Sequence, residues 1–343
     1  MSTPDTYVLI GRFQPFHQGH LALLLKALAL GPVVVVLGSS FGARSPKNPF
    51  TWEERASMIK LSLPEQYLGQ VKFAAVRDFY DDKAWVSSVK TEVHKLVGAE
   101  TRPTIVGYEK DATSYYLTRF EGWGFKDLGS QGELSATPLR HALLSGAPYR
   151  ATREVLSAFL PDPVLDYLQG WAQLPYLKSL SAEWQAIQGE RALWAGSPYK
   201  PVFVTADALV TCQDRVLLVQ RKGPLGAGLW AMPGGFLDQE ERVLQTALRE
   251  LKEETLIGLR EEDIERTLKG RQFFDHPQRS LRGRTITFVH HFDLGDIRLP
   301  HVEPSDDAAA VDWVRKDDLA EYEPRLFEDH FVAMNHFLDL IPK

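Results

Sequence analysis

The stretch Gly235-Phe236-Leu237-Asp238-Gln239-Glu240-Glu241, followed after seven residues by Arg249-Glu250-Leu251-Lys252-Glu253-Glu254-Thr255-Leu256-Ile257, decides how the second half of this chain is read. Glu250, Glu253 and Glu254 stand at i, i+3 and i+4, so on a helix they share one face. Three carboxylates that close repel one another, and a divalent cation bound through oxygen relieves the repulsion. A cation held this way can in turn hold a phosphate. A solvated acidic helix face is the ordinary meaning of such a charge run. Here the fixed positions from Gly235 to Glu254, the Pro233-Gly234 lead-in and the strand-like runs on both sides favour a metal-and-phosphate site.

The stretch resembles the Nudix box, the signature of enzymes that hydrolyse a nucleoside diphosphate linked to another group. Gly235, Glu241, Arg249, Glu250, Leu251, Glu253 and Glu254 carry the resemblance. It implies that Glu250, Glu253 and Glu254 are catalytic metal ligands for Mg²⁺, with Mn²⁺ as the alternative, and that Glu241 and Arg249 orient the helix. Which carboxylate or loop residue is the general base stays open. Leu256 stands where the box has Gly, and Gly258 is expected to close the helix two residues later.

A second signature lies near the N-terminus. The apolar run Tyr7–Ile10 reads as a buried parallel strand. It leads into Gly11-Arg12-Phe13-Gln14-Pro15-Phe16-His17-Gln18-Gly19-His20, and a helical stretch, Leu21–Leu30, follows. Strand, glycine-containing turn and helix together place backbone N–H groups and the helix dipole where an anion is welcome. His17 and His20 are three residues apart, so both rings can reach one phosphate. Gly19 lets a nucleotide approach the backbone. Loop imidazoles of this kind are expected to carry little packing.

This segment resembles the nucleotidyltransferase superfamily and, in its longer form, the archaeal-type nicotinamide mononucleotide (NMN) adenylyltransferases, whose product is NAD. The resemblance covers roughly residues 5 to 170. It extends to Asn48-Pro49-Phe50-Thr51 with Glu54-Arg55, to Asp78 and Trp85, and to Ser135-Ala136-Thr137-Pro138-Leu139-Arg140. It implies catalytic roles for His17, His20 and Arg140. It also implies substrate contacts from Gly11, Arg12, Phe13, Gln14, Lys47, Asp78, Trp85, Gly107, Ser135 and Thr137. Thr137 before Pro138 reads as an N-cap followed by the preferred first helical residue. Arg140 then lies in the first turn, where a cation opposes the dipole unless a polyphosphate sits between. Trp85 is either core packing or, as the resemblance implies, a stacking partner for the cationic nicotinamide ring.

Strand-like runs at Tyr7–Ile10, Val33–Leu37, Val71–Val76 and Thr104–Gly107 alternate with helical patterns at Trp52–Leu61 and Trp85–Leu96, which predicts a Rossmann-like parallel sheet with helices on both faces. No Gly-x-Gly-x-x-Gly is present, so a dinucleotide-binding Rossmann enzyme is not indicated. Ser197-Pro198-Tyr199-Lys200-Pro201 breaks the helical pattern of 162–191. The expected organisation is an adenylyltransferase domain over 1–185, a linker over 186–200 and a Nudix domain over 201–343. In the last, hairpin strands Val202–Thr211 and Arg215–Gln220, strands Thr285–Phe292 and Ala309–Val314, and a helix near Leu326–Leu340 predict an α/β/α sandwich with a mixed sheet. Phe273–Arg284 reads as a loop. It resembles a segment of Nudix proteins acting on ADP-ribose, which implies substrate contacts from Arg279 and Arg282; composition alone favours a solvated basic loop.

A chain of 343 residues with 44% hydrophobic content suits two domains, each with its own core. The net charge of −6 argues against a nucleic-acid footprint. One cysteine, Cys212, excludes an intrachain disulfide and fits the cytoplasm. No signal peptide or membrane span is apparent. The expected partners are small molecules: ATP, NMN, NAD and ADP-ribose; the oligomeric state stays open, a homo-oligomer included. The whole chain resembles the bacterial bifunctional NMN adenylyltransferase/Nudix hydrolases. Two rivals remain: an adenylyltransferase for another acceptor such as pantetheine phosphate, and a Nudix domain that senses ADP-ribose without cleaving it.

Overall fold

Five consecutive apolar residues, Val33–Leu37, are all buried, which requires a strand covered on both faces. The computed structural model, which describes residues 5–108, 119–129 and 134–341, puts this strand inside a five-stranded sheet. The strands are β1 (Tyr7–Gly11), β2 (Val33–Leu37), β3 (Val71–Ala75), β4 (Thr104–Gly107) and β5 (Gly124–Asp127). All pair in parallel, in the order β3-β2-β1-β4-β5. Four of them are the strands expected from sequence. The fifth, β5, is exposed at every residue and so has no apolar run to announce it.

Among the described residues the helices up to the second sheet are α1 (Gln18–Leu28), α2 (Trp52–Ser62), α3 (Asp82–Val97), α4 (Ala136–Leu143), α5 (Tyr149–Leu156), α6 (Asp162–Trp171) and α7 (Pro175–Leu193). Val89 and Val93 of α3 pack on Val8, Val34, Val36 and Ala74 of the sheet, with Trp85 at the edge of that cluster. Leu23, Leu24, Ala27 and Leu28 of α1 are buried too. The order reverses between β1 and β4, and in such sheets ligands bind beyond the strand C-termini at that switch point.

The second sheet is mixed: β6 (Val202–Cys212), β7 (Arg215–Arg221), β8 (Trp230–Ala231), β9 (Gly234–Phe236), β10 (Leu268–Phe274), β11 (Arg284–Asp293) and β12 (Ala308–Arg315). β6 and β11 are parallel, and the other pairings are antiparallel. Its helices are α8 (Val243–Thr255), α9 (Glu261–Glu265), α10 (Leu319–Tyr322) and α11 (His330–Leu338). Alternation along β6 and β7 sorts the core. Ala208, Val210, Cys212 and Leu217 meet Leu248 and Leu251 of α8. Leu209, Val216 and Leu218 meet Phe331 and Met334 of α11. Each leucine of α8 buried this way contributes roughly 1.5–3 kcal/mol. The strand β10 corrects the sequence reading, which had Phe273 and Phe274 in a loop: they end β10, and the loop begins at Asp275.

Contacts divide the chain into two compact units, Met1–Ser181 and Ala182–Lys343. The division falls inside α7, which runs unbroken to Leu193, so the first half of the expected linker is helical. Among the described residues no helix is long and apolar enough to cross a membrane.

Candidate active sites

In the first unit, β1 ends at Gly11 and the chain turns sharply. Phe13 adopts a left-handed φ of 52°. Its ring lies 2.8 Å from where a Cβ on Gly11 would stand, so glycine is required there. The side chains of Phe13 and Gln14, expected to touch substrate, are buried and brace the loop. Gln14 Nε2 donates to Phe50 O (2.8 Å) and Phe50 N donates to Gln14 Oε1 (3.0 Å).

His17 is the N-cap of α1 and His20 its third residue. His20 N donates to His17 Nδ1 and His17 N donates to His20 Nδ1, each at 3.3 Å, a capping box built of two imidazoles. The rings stack at 3.5 Å, and His20 also meets Phe13 edge-on at 4.9 Å. These imidazoles therefore carry packing and a helix cap, contrary to the expectation from sequence. Accepting at Nδ1 fixes the neutral tautomer with the proton on Nε2, a donor for an anionic oxygen. Burial, and then the neighbouring His17, hold His20 well below the usual histidine range. Both causes disfavour the charged imidazolium.

Arg140 joins the two phosphate motifs across 126 residues: its Nη1 donates to Gln14 O at 2.8 Å and its Nη2 to Thr137 Oγ1 at 3.0 Å. Burial, and then Arg12, push its pKa down to about 10. The cap of α4 is Ser135, whose Oγ accepts from Thr137 N, and the helix begins at Ala136. This corrects the expected Thr137 cap; the Thr137 hydroxyl serves Arg140. Arg55 is fully buried and donates to Arg12 O (2.6 Å), Gly38 O (2.7 Å), Ser39 O and Ser40 Oγ. It ties the ends of β1 and β2 together. The resemblance included Glu54-Arg55, but nothing in the sequence marked this bracing role for Arg55. Burial lowers it too, to about 10, with Arg12 adding like charge.

The remaining candidates gather near the same strand ends. Asp78 follows β3 and accepts from Ser39 Oγ at 2.6 Å. Lys47 is half-buried in a turn closed by Ser45 and Asn48. Gly107 ends β4, its carbonyl accepting from Leu128 N. Trp85 is half-buried and packs edge-on against Phe120 at 5.8 Å.

In the second unit, α8 presents its carboxylates at graded depth: Glu253 exposed, Glu250 half-buried, Glu254 buried. The strand β9 crosses them so closely that a Cβ on Gly235 would collide with the Glu250 carboxylate, and one on Gly234 with Asp207. Glu254 accepts from Gly234 N at 3.1 Å. Arg249 donates to Glu241 (2.7 Å), Glu250 and Glu253 (2.8 Å each) and Phe236 O. Thr246 also donates to Glu241, which therefore orients the helix as expected. Because Arg249 and Gly234 engage these oxygens, no three His, Cys, Asp or Glu side chains among the described residues converge as a preformed cation cage. The donor set nevertheless fits a hard divalent cation. Burial pushes Glu254 up to about 8 and raises Glu250, and a bound cation would restore both anions. The helix closes at Leu256, which itself takes the left-handed conformation (φ 42°, ψ 35°), not at Gly258.

Residues that sequence reading passed over lie behind this turn. Asp207 accepts from Thr287 Oγ1, and His330 Nδ1 accepts from Met232 N at 3.0 Å. Arg279 is not on an open basic loop. Its guanidinium is buried and makes two hydrogen bonds to Asp329, at 2.8 and 2.9 Å. Burial works against its charge, but Asp329 outweighs burial and raises its pKa. Arg282 is half-buried, its Nε on Glu190 Oε2 at 2.8 Å and its guanidinium 4.3 Å over the Phe236 ring.

A cytidylyltransferase-like family model matches residues 8–106 and a NUDIX domain model residues 202–337. A nicotinamide/nicotinic acid mononucleotide adenylyltransferase of Acinetobacter baylyi is 33% identical over 184 residues, which are 53% of this chain and 94% of the relative. A nicotinamide-nucleotide adenylyltransferase of Thermoplasma acidophilum is 25% identical over 174 residues, 50% of this chain and 90% of its own. Among solved structures, a bifunctional NMN adenylyltransferase/ADP ribose pyrophosphatase of Francisella tularensis, complexed with AMP and a manganese ion, is 33% identical. It covers 98% of this chain and 99% of its own, with a TM-score of 0.89.

Proposed function

The chain belongs to the bifunctional NMN adenylyltransferase/ADP-ribose pyrophosphatase family, and from that premise we propose how its side chains divide the two reactions. It transfers the adenylyl group of ATP to NMN, giving NAD and pyrophosphate, and it hydrolyses ADP-ribose to AMP and ribose 5-phosphate in a divalent-metal-dependent reaction. The observations that support this reading are the Arg140–Gln14 hydrogen bond, which ties two distant N-terminal motifs together, and the close approach of Gly235 to Glu250 on the carboxylate face of α8.

In the first unit the NMN phosphate oxygen bonds to the α-phosphorus of ATP, and the bond from that phosphorus to the β-phosphate bridge breaks. The nucleophile is already an anion, so positioning and charge stabilisation suffice. His17 and His20 donate from Nε2 to phosphate oxygens, and Arg12, Lys47 and Arg140 supply positive charge. Gly11 and Gly107 end the strands beside which the nucleotide binds, Ser135 and Thr137 hold the second motif, and Phe13 and Gln14 set the loop. Asp78 and Trp85 face the nicotinamide nucleotide.

In the second unit Glu250, Glu253 and Glu254 hold Mg²⁺, or Mn²⁺ in its place. A divalent cation there polarises the diphosphate and lowers the pKa of a water. Arg249 and Glu241 keep the carboxylates aligned, and Arg282 contacts the substrate. These substrates belong to the cytoplasm.

The test is a side-by-side kcat/KM comparison of ADP-ribose, NAD, NADH and diadenosine polyphosphates with Mg²⁺ and with Mn²⁺, beside detection of NAD made from NMN and ATP. ADP-ribose is expected to lead and NAD to be a poor substrate. A preference for another dinucleotide by more than about tenfold, roughly 1.4 kcal/mol in transition-state binding, would replace the substrate while keeping the hydrolase class.

A further inference from the structure

Arg282 is held from two sides. Its Nε donates to Glu190 Oε2 at 2.8 Å, and its guanidinium lies 4.3 Å over the Phe236 ring. Glu190 belongs to α7, far in sequence from the Nudix box. Phe236 directly follows Gly235, the residue that lies against Glu250, and its carbonyl accepts from Arg249. The aromatic support continues away from Arg282: Phe236 meets Phe203 edge-on at 5.8 Å, and Phe203 meets Trp194 edge-on at 5.8 Å. Trp194 is the first residue after α7. The backbone just after Arg282 also rests on this stack, since a Cβ on Gly283 would stand 2.7 Å from the Phe203 ring. The helix and its exit therefore fasten the platform at both ends.

A guanidinium fixed through Nε and stacked on one face keeps its Nη edge for other acceptors. Among the described residues no hydrogen-bond acceptor takes that edge. A fixed, flat pair of N–H donors stacked on Phe236, the residue that follows Gly235, suits two oxygens of one phosphate. We propose that Arg282, stacked on Phe236, is the arm that grips the substrate diphosphate, and that Glu190 on α7 is its positioning residue. The proposal rests on the diphosphate hydrolysis assigned above. It adds that the helix preceding the Nudix domain is part of the hydrolase site.

The experiment is a double-mutant cycle in the full chain, with Glu190→Ala, Arg282→Ala and the double variant. KM and kcat for ADP-ribose are read separately, and Kd for ADP-ribose is read calorimetrically in EDTA. Arg282→Ala is expected to raise KM and Kd by about tenfold or more, the scale of a charge-assisted hydrogen bond. Glu190→Ala is expected to raise both about fivefold with a smaller change in kcat. It should add almost nothing once Arg282 is gone. Glu190→Asp should recover part of the loss and Glu190→Gln less, a graded rescue that simple loss of packing would not produce. NAD synthesis and Tm in the same preparations report an intact fold. Independent, multiplying effects of the two substitutions, or an unchanged KM and Kd in Glu190→Ala, overturn the proposal. If ADP-ribose is not cleaved, the substrate reading fails on its own, and the cycle on Kd for the dinucleotide that is cleaved best decides the positioning role.

Discussion

Leu256 ends α8 in a left-handed conformation that costs a side-chain-bearing residue about 1–2 kcal/mol. Its side chain is 52% exposed, so little packing offsets the strain. Leu256→Gly is expected to stabilise the chain by about 0.5–1 kcal/mol after the entropy of glycine in the unfolded state is subtracted. Urea midpoints measure this, and a destabilised variant would mean that Leu256 packs in a way its exposure hides. Glu183 gives a pH effect. Burial raises its pKa to about 7 although Gly226 N donates to it. A folded value above the unfolded one means that its contribution is present below about pH 4.5 and lost as pH rises through about 7. Glu183→Gln keeps an acceptor without the charge, so it should match the parent near pH 4.5 and exceed it at pH 8.5 by at most about 3 kcal/mol. Denaturation at the two pH values checks it; identical pH dependence would show the group is better solvated. Arg279→Ala removes a buried guanidinium that makes two hydrogen bonds to Asp329 and should cost about 3–5 kcal/mol. A rise in KM with unchanged Tm would instead return Arg279 to the substrate.

At the scale of elements, α7 matters most. Its residues Glu183 and Glu190 bind Gly226 and Arg282 of the hydrolase unit, and Trp184 and Ile187 are buried. A break at Ser197–Pro201 is what the sequence advertises, because Pro198 and Pro201 interrupt the helical pattern there. A hydrolase fragment beginning at Ala182 is expected to fold and to keep the KM of the full chain for ADP-ribose. One beginning near Leu193 should be less stable and bind the substrate about fivefold more weakly, the scale set by one lost positioning contact. Thermal melts and steady-state kinetics on the two fragments decide. Equal behaviour would confine α7 to a tether.

For the molecule as a whole, two sites on separate sheets should fail separately. His20→Ala should lower NAD synthesis at least about a hundredfold, the effect of losing one charge-stabilising donor. Because the same ring completes the cap of α1, it should also cost about 1 kcal/mol of stability. Glu254→Gln should abolish ADP-ribose hydrolysis. Each variant is assayed for both reactions, and loss of both in either one would reveal coupling between the sites.

The sequence by itself determined the family, the two-sheet architecture and the helix face that three glutamates share. Periodicity and fixed spacing express local physics: Glu250, Glu253 and Glu254 share a helix face wherever that helix goes, and Val33–Leu37 must be buried on both sides. Tertiary structure decided what each polar side chain is tied to. Arg279 reads as a loop cation until Asp329, fifty residues on, is brought against it. Arg55 is one letter of a motif until the carbonyls of two strand ends converge on it. Arg282 acquires Glu190 and Phe236 only when α7 and β9 meet. Such partners are far apart along the chain, and a lone charge in a sequence carries no mark of the opposite charge it will find.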